Sequence, residues 1–304
     1  MVKSIFAGFK QVSKLILVLI LYNSTMIKLL LAGTPEFSVP IFEELINNFN
    51  VVGIVSQPDR PSIRGRKSVF TPTKILAQKY NINCFQPEKI ADIYDELSKL
   101  EFDYLVTAAF GQYIPTKILN LAKKLNLNVH GSLLPKYRGA APIQYSILNG
   151  DSFTGISLME MVKEMDAGDV FATAKIEIDK NETSGSLFAK MSNVAKQNIV
   201  SWIKQLDNNE LSRQIQDASQ VTFSPKLDKN NGHITNDMTC EQALRIIKAY
   251  NPNPSAFAFI NDKRVKINFA TIKQVKNAPK IQLIDGDLYL IDYQFDSKKR
   301  VILQ

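Results

Sequence analysis

Apolar runs alternate with amphipathic stretches along the first 130 residues of the chain. The apolar runs are typical of strands covered on both faces, and the stretches between them have the apolar spacing of helices. Strands are predicted at 27–32, 51–55, 82–85, 104–109 and 125–130, and helices at 38–47, 72–80, 93–100 and 117–124. This alternation predicts βαβ units and therefore a doubly wound α/β fold with a mostly parallel sheet.

The pattern changes in the second half of the chain. Further strands are predicted at 154–161 and 170–178. Apolar residues then recur at three- and four-residue steps from Phe188 to Leu206, which predicts a long amphipathic helix with Trp202 in the core. The polar stretch Asp217–Thr235 follows, and we expect the domain boundary there.

A smaller domain with few helices is predicted after this boundary. Thr239 and Gln242 form a candidate capping box for a helix that runs to Ala249. Short strand-like runs separated by turns then fill the rest of the chain, at 256–260, 265–270, 281–284 and 288–293. This pattern predicts a small β-barrel or sandwich. The predicted parts are a catalytic domain at 26–217, a linker at 218–235 and the barrel at 236–304.

The first 25 residues are treated separately from these domains. Lys10 and Lys14 precede the apolar run Leu15–Tyr22, which resembles the charged and hydrophobic regions of a secretory signal. The run has about eight residues, whereas a membrane span needs about 20. We expect the segment 1–25 to be an extension upstream of a true start at Met26, and the protein to be cytoplasmic without membrane attachment. A genuine signal is the alternative.

The formal net charge of +8 comes from the two ends of the chain. Residues 226–304 carry 13 Lys/Arg against 8 Asp/Glu, and residues 1–25 carry three Lys and no acid. A basic terminal domain suggests a polyanionic partner, with a merely solvated surface as an equal alternative. Within the neutral middle of the chain, the loop 56–67 concentrates the basic residues Arg60, Arg64, Arg66 and Lys67. That loop is either a flexible solvated segment or an arm that grips phosphate.

Candidate chemistry is concentrated at the end of the predicted strand 125–130. Asn128 and His130 are two residues apart, so in a strand both side chains leave the same face. An Asn amide can stabilise a developing oxyanion, and a His can move a proton near neutral pH. Asp166 or Asp169, in a charged turn downstream, could orient the imidazole, and the chemistry alone leaves that choice open.

These groups suit direct attack by an amine on an activated carbonyl, without a metal or a covalent enzyme intermediate. A His-rich metal site is excluded because His130 and His233 are the only histidines. Cys84 and Cys240 lack metal-ligand spacing and are expected to be unpaired thiols. The spaced glycines of a dinucleotide fingerprint are missing after Gly33. The alternative is that Asn128 and His130 are only structural.

The segment 128–143, NVHGSLLPKYRGAAPI, resembles the signature of the folate-dependent formyltransferases, together with Met165–Asp169 downstream. Further segments similar to that family are Ala32–Phe37, Ser56–Pro61, Phe85–Pro87 and Ala249–Pro252. The resemblance extends from Met26 almost to the end of the chain. The loop motif Ser56–Pro61 narrows it to the branch of the family that formylates initiator methionyl-tRNA.

The resemblance implies a Rossmann-like catalytic domain followed by an OB-like domain that binds tRNA. It implies that Asn128, His130 and Asp166, rather than Asp169, are the catalytic trio. Folate contacts are implied for Ser132, Leu133, Leu134, Pro135, Phe110, Gly111 and Ile114. Contacts with tRNA are implied for Arg60, Arg64, Arg66 and Lys67.

The implied reaction moves the formyl group of 10-formyltetrahydrofolate to the α-amine of methionyl-initiator tRNA. We expect a monomer that uses no metal. Two alternatives remain. One is a formyltransferase for a small amine, such as glycinamide ribonucleotide or an amino sugar nucleotide, and the other is a catalytically idle RNA-binding module.

Overall fold

The structure is a computed structural model that describes residues 26–61 and 68–303. The expectation for the leader 1–25 therefore lies outside the described residues. The strands are β1 (Lys28–Gly33), β2 (Asn50–Val55), β3 (Arg60–Pro61), β4 (Ser68–Val69), β5 (Cys84–Phe85), β6 (Tyr104–Ala108), β7 (Leu125–His130), β8 (Phe153–Glu160), β9 (Val170–Glu177), β10 (Ala256–Ile260), β11 (Lys263–Thr271), β12 (Lys280–Leu283), β13 (Gly286–Phe295) and β14 (Val301–Ile302). The helices are α1 (Ser38–Asn48), α2 (Pro72–Lys79), α3 (Tyr94–Leu97), α4 (Thr116–Leu119), α5 (Pro142–Leu148), α6 (Ser184–Asp207) and α7 (Cys240–Tyr250).

The chain forms two compact units, one up to Leu127 and one from Asn128 onward. In the first unit the strands follow the order β5-β2-β1-β6, and β1 is parallel to both β2 and β6. In the second unit β8 and β9 form an antiparallel pair. Because helices alternate with these strands, the doubly wound and mostly parallel architecture predicted from the sequence is confirmed.

The core of the first unit is built on β1 and α1. Residues Leu29 to Ala32 of β1 are fully buried, as expected for a strand covered on both faces. Gly33 ends this strand where a Cβ atom would come within 2.7 Å of the Ala108 carbonyl oxygen, so only glycine allows the close approach. Ser38 Oγ donates to that same carbonyl at 2.6 Å. Ser38 is the first residue of α1. Phe37 occupies the cap position and makes no side-chain capping hydrogen bond.

Two helices of the first unit are shorter than the predicted ones. The predicted helix 93–100 is a 3₁₀ turn, Ile90–Ile93, followed by the single turn of α3. The predicted helix 117–124 ends with α4 at Leu119. The amides of Lys123 and Lys124 instead donate to the carbonyls of Phe102 and Asp103, at 3.0 and 2.9 Å. These tertiary hydrogen bonds replace the next helical turn.

The long helix of the second unit is α6, and it follows the predicted stripe. Thr183 caps it through a reciprocal capping box with Ser186. Trp202 is 7% exposed and therefore belongs to the core, as predicted. At the first turn the buried residue is Leu187, whereas Phe188 is only half-buried.

The C-terminal part of the second unit is an antiparallel sheet with the order β10-β11-β13-β12, in which β14 also pairs with β13. The sheet is curled into a half-barrel, which agrees with the predicted OB-like domain. α7 packs against it and begins with the predicted capping box of Thr239 and Gln242. Within the described ranges 26–61 and 68–303, none of the helices combines the length and the apolar character that crossing a bilayer requires.

Candidate active site

Strand β7 ends in the two side chains that the sequence singled out. Asn128 and His130 lie on one face of this strand, as their spacing predicts. His130 is buried, with 5% of its surface exposed, and Asn128 is half-buried. Buried polar groups are usually hydrogen-bonded, so partners for the His130 ring are expected nearby.

The Asp166 carboxylate lies between these two side chains. Asn128 Nδ2 donates to Asp166 Oδ1 at 3.5 Å, and His130 Nδ1 lies 3.7 Å from Asp166 Oδ2. The structure therefore brings Asn128, His130 and Asp166 together. Asp169 lies at the other end of the same turn, where its carboxylate is 3.6 Å from Arg213 Nη1. Asp169 therefore forms an ion pair with Arg213.

The backbone of the segment Tyr137–Gly139, which we call the catalytic loop, contacts two members of this trio. His130 Nε2 is 2.9 Å from the Tyr137 carbonyl oxygen. Because a carbonyl can only accept, Nε2 carries a proton and donates it to Tyr137, while Nδ1 faces the Asp166 carboxylate. The Gly139 amide donates to Asp166 Oδ2 at 2.8 Å. The loop thereby fixes the His130 tautomer and one carboxylate oxygen.

Backbone strain accompanies this geometry. Asp166 and Tyr137 both adopt left-handed conformations, with φ of 51° and 61°. Gly139 has φ +118°, and a Cβ there would come within 2.8 Å of the Ser224 carbonyl oxygen. Residues with such conformations are retained only where surrounding contacts hold them.

Tyr137 is an anchor for the catalytic loop. Its hydroxyl donates to Asp151 Oδ2 at 2.7 Å and accepts from Asn149 Nδ2 at 2.9 Å. Burial, together with the neighbouring Asp151 carboxylate, raises the pKa of Tyr137 to about 12, although the Asn149 hydrogen bond lowers it. The phenol is therefore neutral at physiological pH, and its role is to hold the loop.

The residues predicted to line a folate pocket form a tight turn after β7. Ser132 is fully buried, and its hydroxyl donates to the Lys136 carbonyl at 2.6 Å. Ser157 Oγ donates to the Ser132 carbonyl at 2.7 Å and accepts from the Leu134 amide at 3.2 Å. Leu133, Leu134 and Pro135 are half-buried. Ser132 thus shapes the turn, while the three apolar residues keep surface that a ligand could cover.

The remaining predicted folate residues belong to the first unit. Phe110 is buried, Ile114 is half-buried, and Gly111 is exposed with φ +79°. Gln57 Nε2 donates to the carbonyls of Phe110 and Gly111, at 3.2 and 3.0 Å. Thr34 Oγ1 also donates to the Phe110 carbonyl at 3.0 Å. These bonds preset the loop, and its folate contacts stay a prediction.

Of the predicted tRNA residues, only Arg60 falls in the part of the chain that the structure describes. Its guanidinium is 3.4 Å from Glu88, and both side chains are mostly exposed. Arg64, Arg66 and Lys67 lie outside the described residues. In the sequence these three residues fall between β3 and β4, which pair with each other.

The base of this basic loop is held by Asp59. Its carboxylate pairs with Lys74, and its Oδ1 accepts from Gln86 Nε2 at 2.8 Å and from the Thr71 amide at 3.2 Å. Burial raises the pKa of Asp59, but the hydrogen bonds from Gln86, Lys74 and Thr71 outweigh it, so the pKa lies below its ordinary value. Asp59 is therefore ionised and fully engaged in structure.

The described residues offer few side chains for metal or thiol chemistry. Across 26–61 and 68–303, the structure holds no cluster of three or more His, Cys, Asp or Glu side chains that could hold a metal ion. Cys84 and Cys240 are unpaired, as the sequence predicted. Burial raises the pKa of the Cys84 thiol to about 11, which makes it a poor nucleophile.

Two residues beside the trio were missed from the sequence. Gln216 Nε2 donates to the Asp166 carbonyl at 2.8 Å, and Ser224 Oγ donates to the Tyr137 carbonyl at 3.1 Å. Gln216 directly precedes the polar stretch Asp217–Thr235 and Ser224 lies within it, and no local pattern marks either residue. Tyr137 and Gly139, by contrast, were inside the signature segment and could have been found there.

Comparison with known proteins now places this geometry in a family. Residues 26–203 match the family described as Formyl transferase, and residues 226–301 match Formyl transferase, C-terminal domain. The chain belongs to the formyl transferase family. It is 52% identical over 277 residues to Methionyl-tRNA formyltransferase of Mycoplasmopsis pulmonis, a match that covers 91% of this chain and 96% of that protein. Methionyl-tRNA formyltransferase of Mycoplasma capricolum subsp. capricolum is 39% identical over 294 residues, covering 91% and 93%.

Solved structures show the same fold at lower identity. Methionyl-tRNA formyltransferase from Clostridium thermocellum has a TM-score of 0.61 and 17% identity, covering 89% of this chain and 99% of that chain. HypX from Aquifex aeolicus in complex with tetrahydrofolic acid has a TM-score of 0.64 and 16% identity, and the match spans 90% of this chain but only 45% of HypX. WlaRD, a sugar 3N-formyl transferase, has a TM-score of 0.66 and 21% identity, covering 90% and 99%.

Proposed function

We propose that this protein transfers the formyl group of 10-formyltetrahydrofolate to the α-amine of methionyl-initiator tRNA. The observation that carries the proposal is the 52% identity, over 91% of the chain, to a relative named methionyl-tRNA formyltransferase. The grouping of Asn128, His130 and Asp166 supports it, because an amide, an imidazole and a carboxylate are what acyl transfer to an amine requires.

The folate supplies the formyl carbon and a nitrogen that leaves as the new amide forms. The Asn128 amide donates to the oxyanion that develops on the formyl oxygen when the amine attacks. His130 assists from its Nδ1 side, since Nε2 is bound to the Tyr137 carbonyl. Asp166 orients His130 and helps move one proton from the attacking amine to the departing nitrogen. Proton number is conserved, because the amine loses the proton that the folate nitrogen gains.

The folate donor would be held beside this trio by the turn after β7. Leu133, Leu134 and Pro135 offer half-buried apolar surface, which fits a flat heteroaromatic ring. Ser132 supports them through its bond to the Lys136 carbonyl. Folate contacts are also proposed for Phe110, Gly111 and Ile114.

For the tRNA, the proposal assigns contacts to Arg60, Arg64, Arg66 and Lys67 and to the basic half-barrel. Residues 226–304 carry 13 Lys/Arg against 8 Asp/Glu, which favours a phosphate backbone as partner. We propose the catalytic domain at 26–217, the linker at 218–235 and the tRNA-binding domain at 236–304. We further propose a cytoplasmic monomer that needs no metal.

One assay tests the acceptor. Purified protein is given 10-formyltetrahydrofolate and, in parallel, methionyl-initiator tRNA, glycinamide ribonucleotide or a thymidine-diphospho amino sugar, the last because WlaRD is a sugar 3N-formyl transferase. Formylation of methionyl-tRNA alone is expected. Preference for either small amine would overturn the proposal, and no transfer to any acceptor would support the RNA-binding alternative.

A further inference from the structure

A segment outside the predicted catalytic residues supports the trio through hydrogen bonds. We call Gln214–Ser224 the strap. At its first residue the strap pairs with Val170, through hydrogen bonds of 2.9 Å in both directions between the two backbones. At its last residues it pairs with Arg138, whose amide donates to the Thr222 carbonyl at 2.9 Å and whose carbonyl accepts from the Ser224 amide at 2.7 Å.

The strap pairs with two segments of the chain, and each of these segments holds a member of the trio in place. Val170 follows the turn that contains Asp166, and Arg138 is the middle residue of the catalytic loop. The Thr222 hydroxyl also accepts from the Tyr137 amide at 2.9 Å. Since the Tyr137 carbonyl holds His130, the strap connects the support of His130 with the support of Asp166.

Gln216 bridges these two supports with its side chain alone. Its Nε2 donates to the carbonyls of Asp166 and Gly168, at 2.8 and 2.7 Å. Its Oε1 accepts from Arg138 Nε at 3.0 Å. Arg138 is buried, so this bond is shielded from water. Both N–H groups and the oxygen of the amide are engaged, one end on the Asp166 turn and the other on the catalytic loop.

This bridge matters because neither support is in a relaxed backbone conformation. Asp166 and Tyr137 are left-handed non-glycine residues that need outside contacts to stay so. The distances from the Asp166 carboxylate to Asn128 Nδ2 and His130 Nδ1, 3.5 and 3.7 Å, follow from where the two supports lie. A small displacement of either one would change both distances.

We propose that Gln216 is a positioning residue, which sets the spacing of Asp166 from Asn128 and His130 and touches neither substrate. The inference rests on the proposed formyl transfer for its kinetic test. It assigns a positioning role to a segment between α6 and the half-barrel that begins at the end of the predicted catalytic domain, 26–217, and continues into the predicted linker, 218–235.

The main variant is Gln216→Met, which keeps the length of the side chain and removes its three hydrogen bonds. The matched control is Gln214→Met, since Gln214 is an exposed glutamine of the same strap that pairs through its backbone. Gln216→Met is expected to lower kcat by about 10- to 100-fold, as misplacement by about 1 Å does, with KM for both substrates within about twofold. A kcat equal to that of the control would overturn the proposal.

A second variant separates the two ends of the bridge. Gln216→Glu keeps an acceptor for Arg138 but turns an oxygen toward the carbonyls of Asp166 and Gly168. Its kcat is expected to be as low as that of Gln216→Met. Near-normal turnover in Gln216→Glu would show that the two donated bonds are irrelevant, and would overturn the proposal. Melting temperatures of all variants show whether a loss follows from unfolding.

A double-mutant cycle tests whether Gln216 acts through Asp166. In an Asp166→Asn background, adding Gln216→Met is expected to lower kcat by less than about threefold, because residues that act as one unit are not additive. An undiminished loss in that background would place the effect of Gln216 elsewhere, and the positioning role would be rejected.

Amide hydrogen exchange supplies a readout without substrates. The Gly139 amide donates to Asp166 Oδ2, so its exchange rate reports on the same spacing. In Gln216→Met we expect at least about tenfold faster exchange at Gly139, with the strand β8 unchanged. An unchanged exchange rate at Gly139 would overturn the positioning proposal, whether or not the protein is active. Inactivity on methionyl-tRNA, by contrast, would refute only the proposed function.

Discussion

Two carboxylates of this protein have the same exposure and different surroundings. Asp59, at the base of the basic loop, and Asp166, in the catalytic trio, both have 15% of the side chain exposed. Asp59 receives hydrogen bonds from Gln86 and Thr71 and pairs with Lys74. Asp166 receives one short bond, from Gly139, and its neighbours Asn128 and His130 lie at 3.5 and 3.7 Å.

The difference supports a structural role for Asp59 and agrees with the catalytic role proposed for Asp166. The partners of Asp59 include a full positive charge and lower its pKa, so its contribution is to stability. The contacts of Asp166 with Asn128 and His130 are longer, so its carboxylate is held less tightly by side chains. Burial alone would not have distinguished the two, whereas the partners do.

The largest expected effect on kcat comes from removing the side chains beside Asp166. Asn128→Ala is expected to lower kcat by about 10²- to 10³-fold, the usual cost of an oxyanion donor. His130→Ala is expected to lower it by about 10²- to 10⁴-fold, the usual contribution of a general acid–base. Steady-state kinetics with methionyl-tRNA measures both. His233→Ala is the control, since His233 stacks on Phe257 at 4.8 Å, and its turnover should stay near normal. Near-normal kcat in Asn128→Ala or His130→Ala would remove that residue from the mechanism.

The paired variants Asp166→Asn and Asp59→Asn test the comparison directly. Asp166→Asn is expected to lower kcat by about 10- to 100-fold with little change in melting temperature. Asp59→Asn is expected to reduce the free energy of unfolding by about 1.5–3 kcal/mol, the value of hydrogen bonds to a charged group, with kcat nearly unchanged. Chemical denaturation and kinetics of both variants give the four numbers. The comparison fails if the two variants lose stability and activity in equal proportion.

The pH dependence of stability should show the structural role of Asp59. The pKa of Asp59 is lowered in the folded protein by Gln86, Lys74 and Thr71, which outweigh burial. Its stabilisation is therefore present above the unfolded pKa, near about 3.9, and is lost as pH falls through the lower folded value. The difference in unfolding free energy between wild type and Asp59→Asn should be constant from pH 7 to about 5 and shrink below about 4. A difference that persists undiminished at about pH 3 would contradict this.

The smallest effect is expected at the surface of the basic loop. Arg60 and Glu88 are exposed, and such a pair is worth about 0–1 kcal/mol. Arg60→Ala should leave the melting temperature unchanged, raise KM for tRNA a few-fold and reduce the salt slope of tRNA binding by about 1. Lys79→Ala, another exposed basic residue of the first unit, is the control. Equal effects of the two variants would remove Arg60 from the tRNA contacts.

Sequence patterns predicted those features that depend on neighbours in the chain. The capping box of Thr239 and Gln242 spans three residues, and the alternation of strands and helices is read over short windows. Ser38, at the start of α1, instead bonds to the Ala108 carbonyl oxygen, which is 70 positions away. Single-sequence reasoning has no access to such a partner.

The candidate site shows the same limit. Asn128 and His130 could be paired from their spacing, because a strand places them on one face. The choice between Asp166 and Asp169 could not, since it depends on Arg213 occupying one of them. Gln216 left no pattern at all, because two of its partners are main-chain carbonyls 50 and 48 residues away and the third is the Arg138 side chain, 78 residues away.

The strap has a consequence for recombining this protein with its relatives. The family match to the catalytic part ends at residue 203, and the match to the C-terminal part begins at 226. The hydrogen bonds of Thr222 and Ser224 to the catalytic loop lie between these limits. A chimera that exchanges the half-barrel should therefore be joined after Ser224. A junction placed at the end of α6 would transplant a foreign strap under the host's own catalytic loop.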